Sequence, residues 1–514
     1  MKVLDIFTIT KQHHIEMKRI TTEHFQLTDF LMAIRDFFGG IISRKIPLYL
    51  ALFFNTGFAI AQEKPNIIFF LADDQNITDY GCYGNDKVKT PGVDRLAKEG
   101  MIFYNAFTAQ AICAPSRSQL FTGNYPLKNG CFMNHAKTKP TMKSVTTRLT
   151  ALGYEVVLAG KSHVQPSSVY HWSKEWQPVK TEGKPRAYIP LDSIADYLKN
   201  AEKPFCMFIT SKYPHGKYFD VPAKSADNYT FFPYDNKQKD NQDYLKKLAG
   251  YYRNIEEDNI QLDHVLNMVD QYLGDNTLFI YSADHGVNGK YTVYDRGLNV
   301  PFVVRWPKEI KANTKSDALV HYTDVLPTFI DIAGGKAPKE LDGKSFLKIL
   351  KGSKKEIHQY VYGVRTSQNI LAASVSPSRM IRSKKYKYIR NFNSVEVVDQ
   401  NLGDNEAVNA FIKMGALKFK NLPFEELYDI EKDPFEQVNL AKDPKYSKTK
   451  DQLAKAMFEW MKNQGDILDD TEGNMPLIHP GKRFRLDQQS KYIDIPDSLV
   501  NTLKKEDYLT LDYL

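Results

Sequence analysis

"NIIFFLADDQ", residues 66–75, is an unbroken apolar run rich in β-branched and aromatic residues that ends on two carboxylates, Asp73 and Asp74. A half-solvated strand would alternate apolar with polar; an unbroken run predicts a strand buried on both faces, as in a parallel sheet covered by helices. The same grammar recurs three times. "YEVVLAGKSH" (154–163) runs into Lys161 and His163, "PFCMFITSKYPH" (204–215) into His215, and "TLFIYSADHG" (277–286) into Asp284 and His285. Between these runs lie helical patterns, among them "PGVDRLAKEG", "SVTTRLTALG" and "YYRNIEEDNIQLDHVLNMVDQYLG". Strands alternating with helices predict an α/β fold whose ligand sits beyond the carboxyl ends of the strands, where these polar groups would gather.

Past about residue 335 the alternation fades. "SRMIRSKKYKYIRNF" (378–392) reads as a hairpin, and "FEELYDIEKDPFEQVNLA" as a strand and a tight turn leading to a helix over about 446–463. The expected organisation is an N-terminal extension over 1–61, a catalytic domain over 62–375 and a smaller α+β subdomain with a tail over 376–514. With 514 residues and 42% hydrophobic content the chain can bury a large core. A net charge of +8 without basic blocks or zinc-finger spacing excludes a nucleic-acid partner and gives weak support to an anionic substrate.

Near the N-terminus, Arg44 and Lys45 precede an apolar stretch ending Ala59-Ile60-Ala61, the pattern of a signal peptide. The stretch is shorter than the ~20 residues of a spanning helix and holds Asn55 and Gly57, so export with a mature start near Gln62 is expected rather than a stable membrane anchor. Met32 would give a signal of ordinary length. The four cysteines, Cys82, Cys113, Cys131 and Cys206, form no CxxC pair; a Cys82 to Cys131 bridge is open in an oxidising compartment, and Cys206 reads as core.

Adjacent carboxylates repel unless a cation or a proton separates them. Asp73-Asp74 alone would suit a helix cap or a solvated turn; its echo in Asp284-His285 favours a hard divalent ion, calcium or magnesium. In "AICAPSRSQLFTG" (111–123), Pro115 suits a first helical turn and Gly123 a stop, so Cys113 falls at a helix N-terminus with Arg117 one turn on. An activated thiolate and a buried structural cysteine both fit there. Lys161 and His163 point the same way if the strand continues through them; His215 and Lys290 lie on loops.

"CAPSR" with "LFTG" behind it, "ADD", "GKSH", "PHG", "ADHG" and "GKYTVYDRGLNVP" (289–301) resemble, in order, the motifs of the formylglycine-dependent sulfatases, over about residues 65–465. "GKSHVQPSSVY" and the C-terminal "ELYDIEKDP…NLA" stretch look most similar to the heparan N-sulfatase (sulfamidase) branch and its bacterial polysaccharide-active relatives. The resemblance implies an alkaline-phosphatase-like sandwich with a large mostly parallel sheet and a C-terminal antiparallel sheet. It implies conversion of Cys113 to formylglycine by a maturation enzyme, and one Ca2+ held by Asp73, Asp74, Cys113, Asp284 and His285. Many members carry Asn where this chain has His285. Arg117 would brace the aldehyde hydrate as it attacks sulfur, Lys161 and Lys290 would bind the sulfate oxygens, His215 would protonate the leaving alcohol, and His163 would help release sulfate.

The implied activity is hydrolysis of sulfate esters on a sulfated polysaccharide, an algal ulvan or a glycosaminoglycan. A phosphatase or phosphonate hydrolase of the same fold would need more Asp and His ligands at the strand ends. A non-enzymatic glycan binder would have lost some of Cys113, Arg117, Lys161, His163, His215 and Lys290. The aromatic stretches "VYHWSKEW" and "NYTFFPYDNKQKDNQDYLKK" fit either a sugar cleft or ordinary packing.

Overall fold

The computed structural model describes residues 64–132, 134–365, 378–392 and 423–466. The proposed signal peptide and the tail after 466 lie outside them. Fourteen strands are described: β1 Asn66–Asp73, β2 Met101–Phe103, β3 Ala106–Phe107, β4 Glu155–Gly160, β5 Lys174–Trp176, β6 Phe205–Pro214, β7 Thr277–Ala283, β8 Phe302–Arg305, β9 Thr314–Ser316, β10 Val320–His321, β11 Val361–Arg365, β12 Ser378–Arg382, β13 Tyr386–Asn391 and β14 Glu425–Asp429. The principal helices are α1 Pro91–Glu99, α2 Cys113–Thr122, α3 Val145–Thr150, α4 Leu191–Asn200, α5 Gln242–Tyr272, α6 Val325–Ile332 and α7 Ser447–Gln464.

Eight strands form one sheet in the order β5-β4-β6-β1-β7-β8-β2-β9. All its pairings are parallel except those of β8 with β7 and β2. The reason for the unbroken apolar run is visible in β1. Ile67, Phe69 and Leu71 enter one core with Leu120 and Phe121 of α2 and Val325, Leu326 and Phe329 of α6. Ile68, Phe70 and Ala72 enter the opposite core with Leu262, Val265 and Leu266 of α5 and Ile194 and Leu198 of α4. With side chains alternating between two buried faces, no position from Ile67 to Ala72 faces water, and truncating Phe69 to Ala would cost about 3–5 kcal/mol.

A second sheet, β11-β12-β13-β14, is antiparallel throughout. It contains the expected hairpin as β12 and β13, and α7 packs on it through Leu453, Met457, Trp460 and Met461. Its first strand, β11, precedes residue 376 in the chain. A small parallel pair, β3 with β10, has no counterpart in the sequence pattern, because two residues carry no period. No disulfide joins the cysteines: Cys82 lies beside Asp94, and the Cys131 thiol points at the Ala136 carbonyl, 3.2 Å away. Cys206 is core, as expected. No helix of the described residues is long and apolar enough to cross a membrane.

Candidate active site

Strands β4, β6, β1 and β7 are consecutive and mutually parallel, so their carboxyl ends share one edge of the sheet. That edge brings Asp73, Asp74, Lys161, His163, His215, Asp284 and His285 together, and α2 presents Cys113 and Arg117 to them. The Pro115 turn and the left-handed Gly123 stop bound α2 as its sequence predicts, and the Asn134 side chain accepts from the Ala114 N–H at its start (3.3 Å).

Asp74, Cys113, Asp284 and His285 offer ligand atoms that all lie within 4.8 Å of one another, and all four are buried. Cys113 Sγ is 3.4 Å from His285 Nε2, 3.8 Å from Asp74 Oδ1 and 3.7 Å from Lys290 Nζ. The Asp74 N–H donates to Asp284 Oδ1 at 3.0 Å. Asp73, expected among the metal ligands, lies beside this group: Lys161 Nζ donates to both its oxygens at 2.7 Å, and an Arg117 nitrogen approaches at 3.3 Å. Arg117 also donates from Nε to Asp284 Oδ2 (3.1 Å) and from Nη1 to the Lys161 carbonyl (3.0 Å), so one planar group ties three strand ends together. Lys290 Nζ lies 2.9 and 2.8 Å from the two oxygens of Asp74.

Three carboxylates, Asp73, Asp74 and Asp284, thus face three cations, Arg117, Lys161 and Lys290. Burial would raise the Asp73 and Asp74 carboxyls, but Lys161 and Arg117 for the first, and Lys290 above all for the second, outweigh it and hold both below the usual range. Burial works against the charge of Lys161 and Lys290 too; Asp73 in the one case and Asp74 in the other push both ammonium groups up. Burial also drives the Cys113 thiol far upward despite Lys161 and Lys290, so at neutral pH it is a thiol and not the activated thiolate that the sequence left open.

The donor set fits a hard divalent cation. His285 Nδ1 faces the Gly286 carbonyl at 3.2 Å, which fixes its proton there and leaves the Nε2 lone pair toward Asp74 (3.1 Å) and Cys113. Burial lowers the basicity of His285 and keeps it neutral, as a ligand must be. With the local charge already balanced, a divalent ion would leave an excess of two positive charges, suited to a sulfate monoester and one ionised oxygen.

The remaining residues depart in detail from the linear reading. Strand β4 stops at Gly160, and His163 takes a left-handed backbone (φ 57°), so it does not continue the strand in line with Lys161. Its Nε2 pairs instead with Nδ1 of His135 at 2.9 Å, and burial pushes its pKa down to about 2, aided by Lys161 and His135. His135 was missed by the sequence reading because it lies in a loop, "MNHAKTKP", without a strand to aim it. His215 Nδ1 bonds to the Gly216 carbonyl (2.7 Å), and its Nε2 is 3.5 Å from Asp74. Among the described residues six non-glycine positions have positive φ, and four of them, Asp74, His135, His163 and Tyr291, sit here, where backbone strain serves side-chain aim. The Lys290 loop is pinned by backbone contact: a Cβ on Gly289 would come within 2.2 Å of the Gly297 nitrogen.

Of the two aromatic stretches, "VYHWSKEW" is packing: Val169 and Tyr170 are core, Trp172 packs on Phe121 and Phe208, and Trp176 on Tyr197. In the other, Tyr234 stacks on Phe232, and its hydroxyl lies 3.5 Å from Asn288 Nδ2, two residues from Lys290.

A family profile described as "Sulfatase" matches residues 65–335, and one described as "N-sulphoglucosamine sulphohydrolase, C-terminal" matches 283–418. An ulvan-active sulfatase of Formosa agariphila is 63% identical over 88% of this chain and 91% of its own. Human N-sulphoglucosamine sulphohydrolase is 25% identical over 81% of this chain and 94% of its own. Among solved structures, a 2-O GAG sulfatase superposes with a TM-score of 0.63 at 25% identity, covering 79% of this chain and 93% of that one. The phosphonate monoester hydrolase of Agrobacterium radiobacter, at TM-score 0.59 and 19% identity over 78% of this chain and 96% of its own, shares the fold.

Proposed function

Because the chain belongs to the sulfatase family and is a sulfuric ester hydrolase, we propose that it is an exported enzyme that removes sulfate from ulvan or its oligosaccharides, using a formylglycine made from Cys113 and a bound calcium ion. The observation that carries this reading is the buried meeting of Asp74, Cys113, Asp284 and His285 between Lys161 and Lys290, in a chain 63% identical to an ulvan-active sulfatase. The N-terminal pattern ending at Ala61 supports export, and the "CAPSR" motif supports action of a maturation enzyme on Cys113.

Bound to Asp74, Asp284, His285 and the side chain at 113, with Asp73 alongside, calcium would supply Lewis acidity toward sulfate and nucleophile oxygens. Formylglycine, as its hydrate, supplies an oxygen nucleophile and a second hydroxyl through which sulfate can leave, an exit that a thiol lacks. Lys161 and Lys290, held as ammonium groups, bind the sulfate oxygens and offset the charge that grows on them. Arg117 holds the Asp284 carboxylate in place through its Nε–H, aimed to take the nucleophile's proton. His215 gives a proton to the leaving alcohol. His163, neutral across the working range, accepts the proton whose loss re-forms the aldehyde.

The test is twofold. The peptide carrying Cys113, purified from a host with the maturation enzyme, should have the mass of the aldehyde, and the protein should release sulfate from ulvan oligosaccharides in a chelator-sensitive, calcium-restored manner. Full activity with an unmodified thiol, or faster turnover of an aryl phosphate than of the matching aryl sulfate, would overturn the reading. N-terminal sequencing of the secreted protein should begin near Gln62.

A further inference from the structure

The three cations of the site are each engaged by a carboxylate, but two further cations beside them are not. Lys212 is the only half-exposed residue within β6 and lies three positions before His215. The strand end that carries it also holds Lys161, whose N–H donates to the Thr210 carbonyl at 2.9 Å. Arg186 comes from the segment between β5 and α4, which is fixed at several points. Lys184 bonds Glu257 (2.8 Å), Tyr188 pairs with Val179 in both directions (2.8 Å), and the buried Tyr213 hydroxyl bridges the Arg186 N–H (3.2 Å) and carbonyl (3.0 Å). The backbone of Arg186 is therefore held, while its side chain has no hydrogen bond or ion pair among the described residues, and its Nε is buried without a partner. Lys212 Nζ has no hydrogen bond or ion pair there either. Burial, Arg186 and Lys161, in that order, weaken the hold of Lys212 on its proton.

Two partly buried cations, carried by segments joined through Tyr213 and within electrostatic reach of Lys161, repel one another and lose hydration, a cost that folding alone gives no reason to accept. An anion placed between them would remove that cost, and a guanidinium fixed by its backbone offers a planar pair of donors to a carboxylate or sulfate. We propose that Lys212 and Arg186 form a second anion subsite, which takes a carboxylate or a further sulfate of the same saccharide whose scissile sulfate lies between Lys161 and Lys290. This rests on the polysaccharide-sulfatase reading and adds a requirement to it: the substrate carries at least two anionic groups, and the second one sets affinity.

Arg186→Gln, Lys212→Gln and the double variant are compared with the wild type on ulvan oligosaccharides with carboxylates intact and after carboxyl reduction, and on singly sulfated, carboxyl-reduced oligosaccharides. On intact oligosaccharides KM should rise about tenfold for each cation removed, the scale of a charge-assisted hydrogen bond, with kcat changed much less. If the second group is a carboxylate, the gap between variant and wild type closes on the carboxyl-reduced substrate; if it is a sulfate, the gap persists there and closes only on the singly sulfated one. Isothermal titration of the same oligosaccharides into the full chain carrying Cys113→Ser should show the same order of affinities without turnover. Both single variants should melt at or above the wild-type temperature, since each loses an unpaired charge. A KM unchanged on every substrate, an equal loss on all three, or a fall in melting temperature with no substrate dependence overturns the subsite. A wild-type enzyme inactive on all sulfated saccharides would instead refute the sulfatase reading on which the subsite depends, and the two failures are distinguished by the wild type alone.

Discussion

Arg117→Gln isolates the electrostatic centre of the site. Arg117 is fully buried and divides its guanidinium between Asp284 at 3.1 Å, Asp73 at 3.3 Å and the Lys161 carbonyl at 3.0 Å. Without it, three buried carboxylates face two lysines. Removing one partner of a buried ion pair costs about 3–5 kcal/mol, because the charge left behind has neither water nor counter-ion. For a chain of this length, roughly 2 cal/mol/K of unfolding entropy per residue makes 1 kcal/mol worth about 1 °C, so the melting temperature should fall by roughly 3–5 °C. The measurement is thermal unfolding of the form with unmodified Cys113 in chelator, so that neither maturation nor a bound cation contributes. Asp284→Asn in the Arg117→Gln background should lose less than the sum of the two single changes, by at least about 1 kcal/mol, because the charge stranded by the first is removed by the second. An Arg117→Gln protein that melts within a degree of wild type, or losses that add, would refute the argument that the guanidinium neutralises these carboxylates.

Three further outcomes follow from the geometry. His135→Gln should lower kcat roughly tenfold while KM stays within about twofold, since His135 touches His163 and orients it; an unchanged kcat, or a loss in KM alone, would leave His135 a packing residue. Asp258, buried on α5 against Tyr281 (3.0 Å), has its carboxyl pushed by burial up to about 7, above its unfolded value, so its contribution is complete below about pH 4 and is lost as pH rises through about 7. Asp258→Asn should therefore gain stability relative to wild type between pH 5 and 8.5, by an amount on the order of a few kcal/mol read from urea unfolding, and a pH-independent difference would contradict the burial argument. Gly289→Ala forces the Lys290 loop away from Gly297, and a displacement of about 1 Å should cost about 100-fold in kcat/KM; retention of activity would mean that the loop yields without moving Lys290.

The linear chain determined a good deal of this protein. Strands buried on both faces must be largely apolar, so "NIIFFLADD" and its three counterparts announce both the parallel sheet and, near the charged residue that closes each run, where each strand ends. Because parallel strands end on one edge, the gathering of Asp73, Asp74, Lys161, His163, His215, Asp284 and His285 follows from topology alone, and the Cys-x-Pro-Ser-Arg helix start added Cys113 and Arg117. Which groups touch was another matter. Sequence treated Asp73 and Asp74 as equivalent, yet in an extended strand successive side chains leave opposite faces, and a left-handed Asp74 turns toward Cys113 and Lys290 while Asp73 stays with Lys161 and Arg117. His135 reaches His163 through a loop that no periodicity describes. Nothing in the linear order marks Lys212 and Arg186, whose side chains packing leaves without a hydrogen bond or ion pair among the described residues, and charge pairing across segments distant in the chain is a property of the folded state alone.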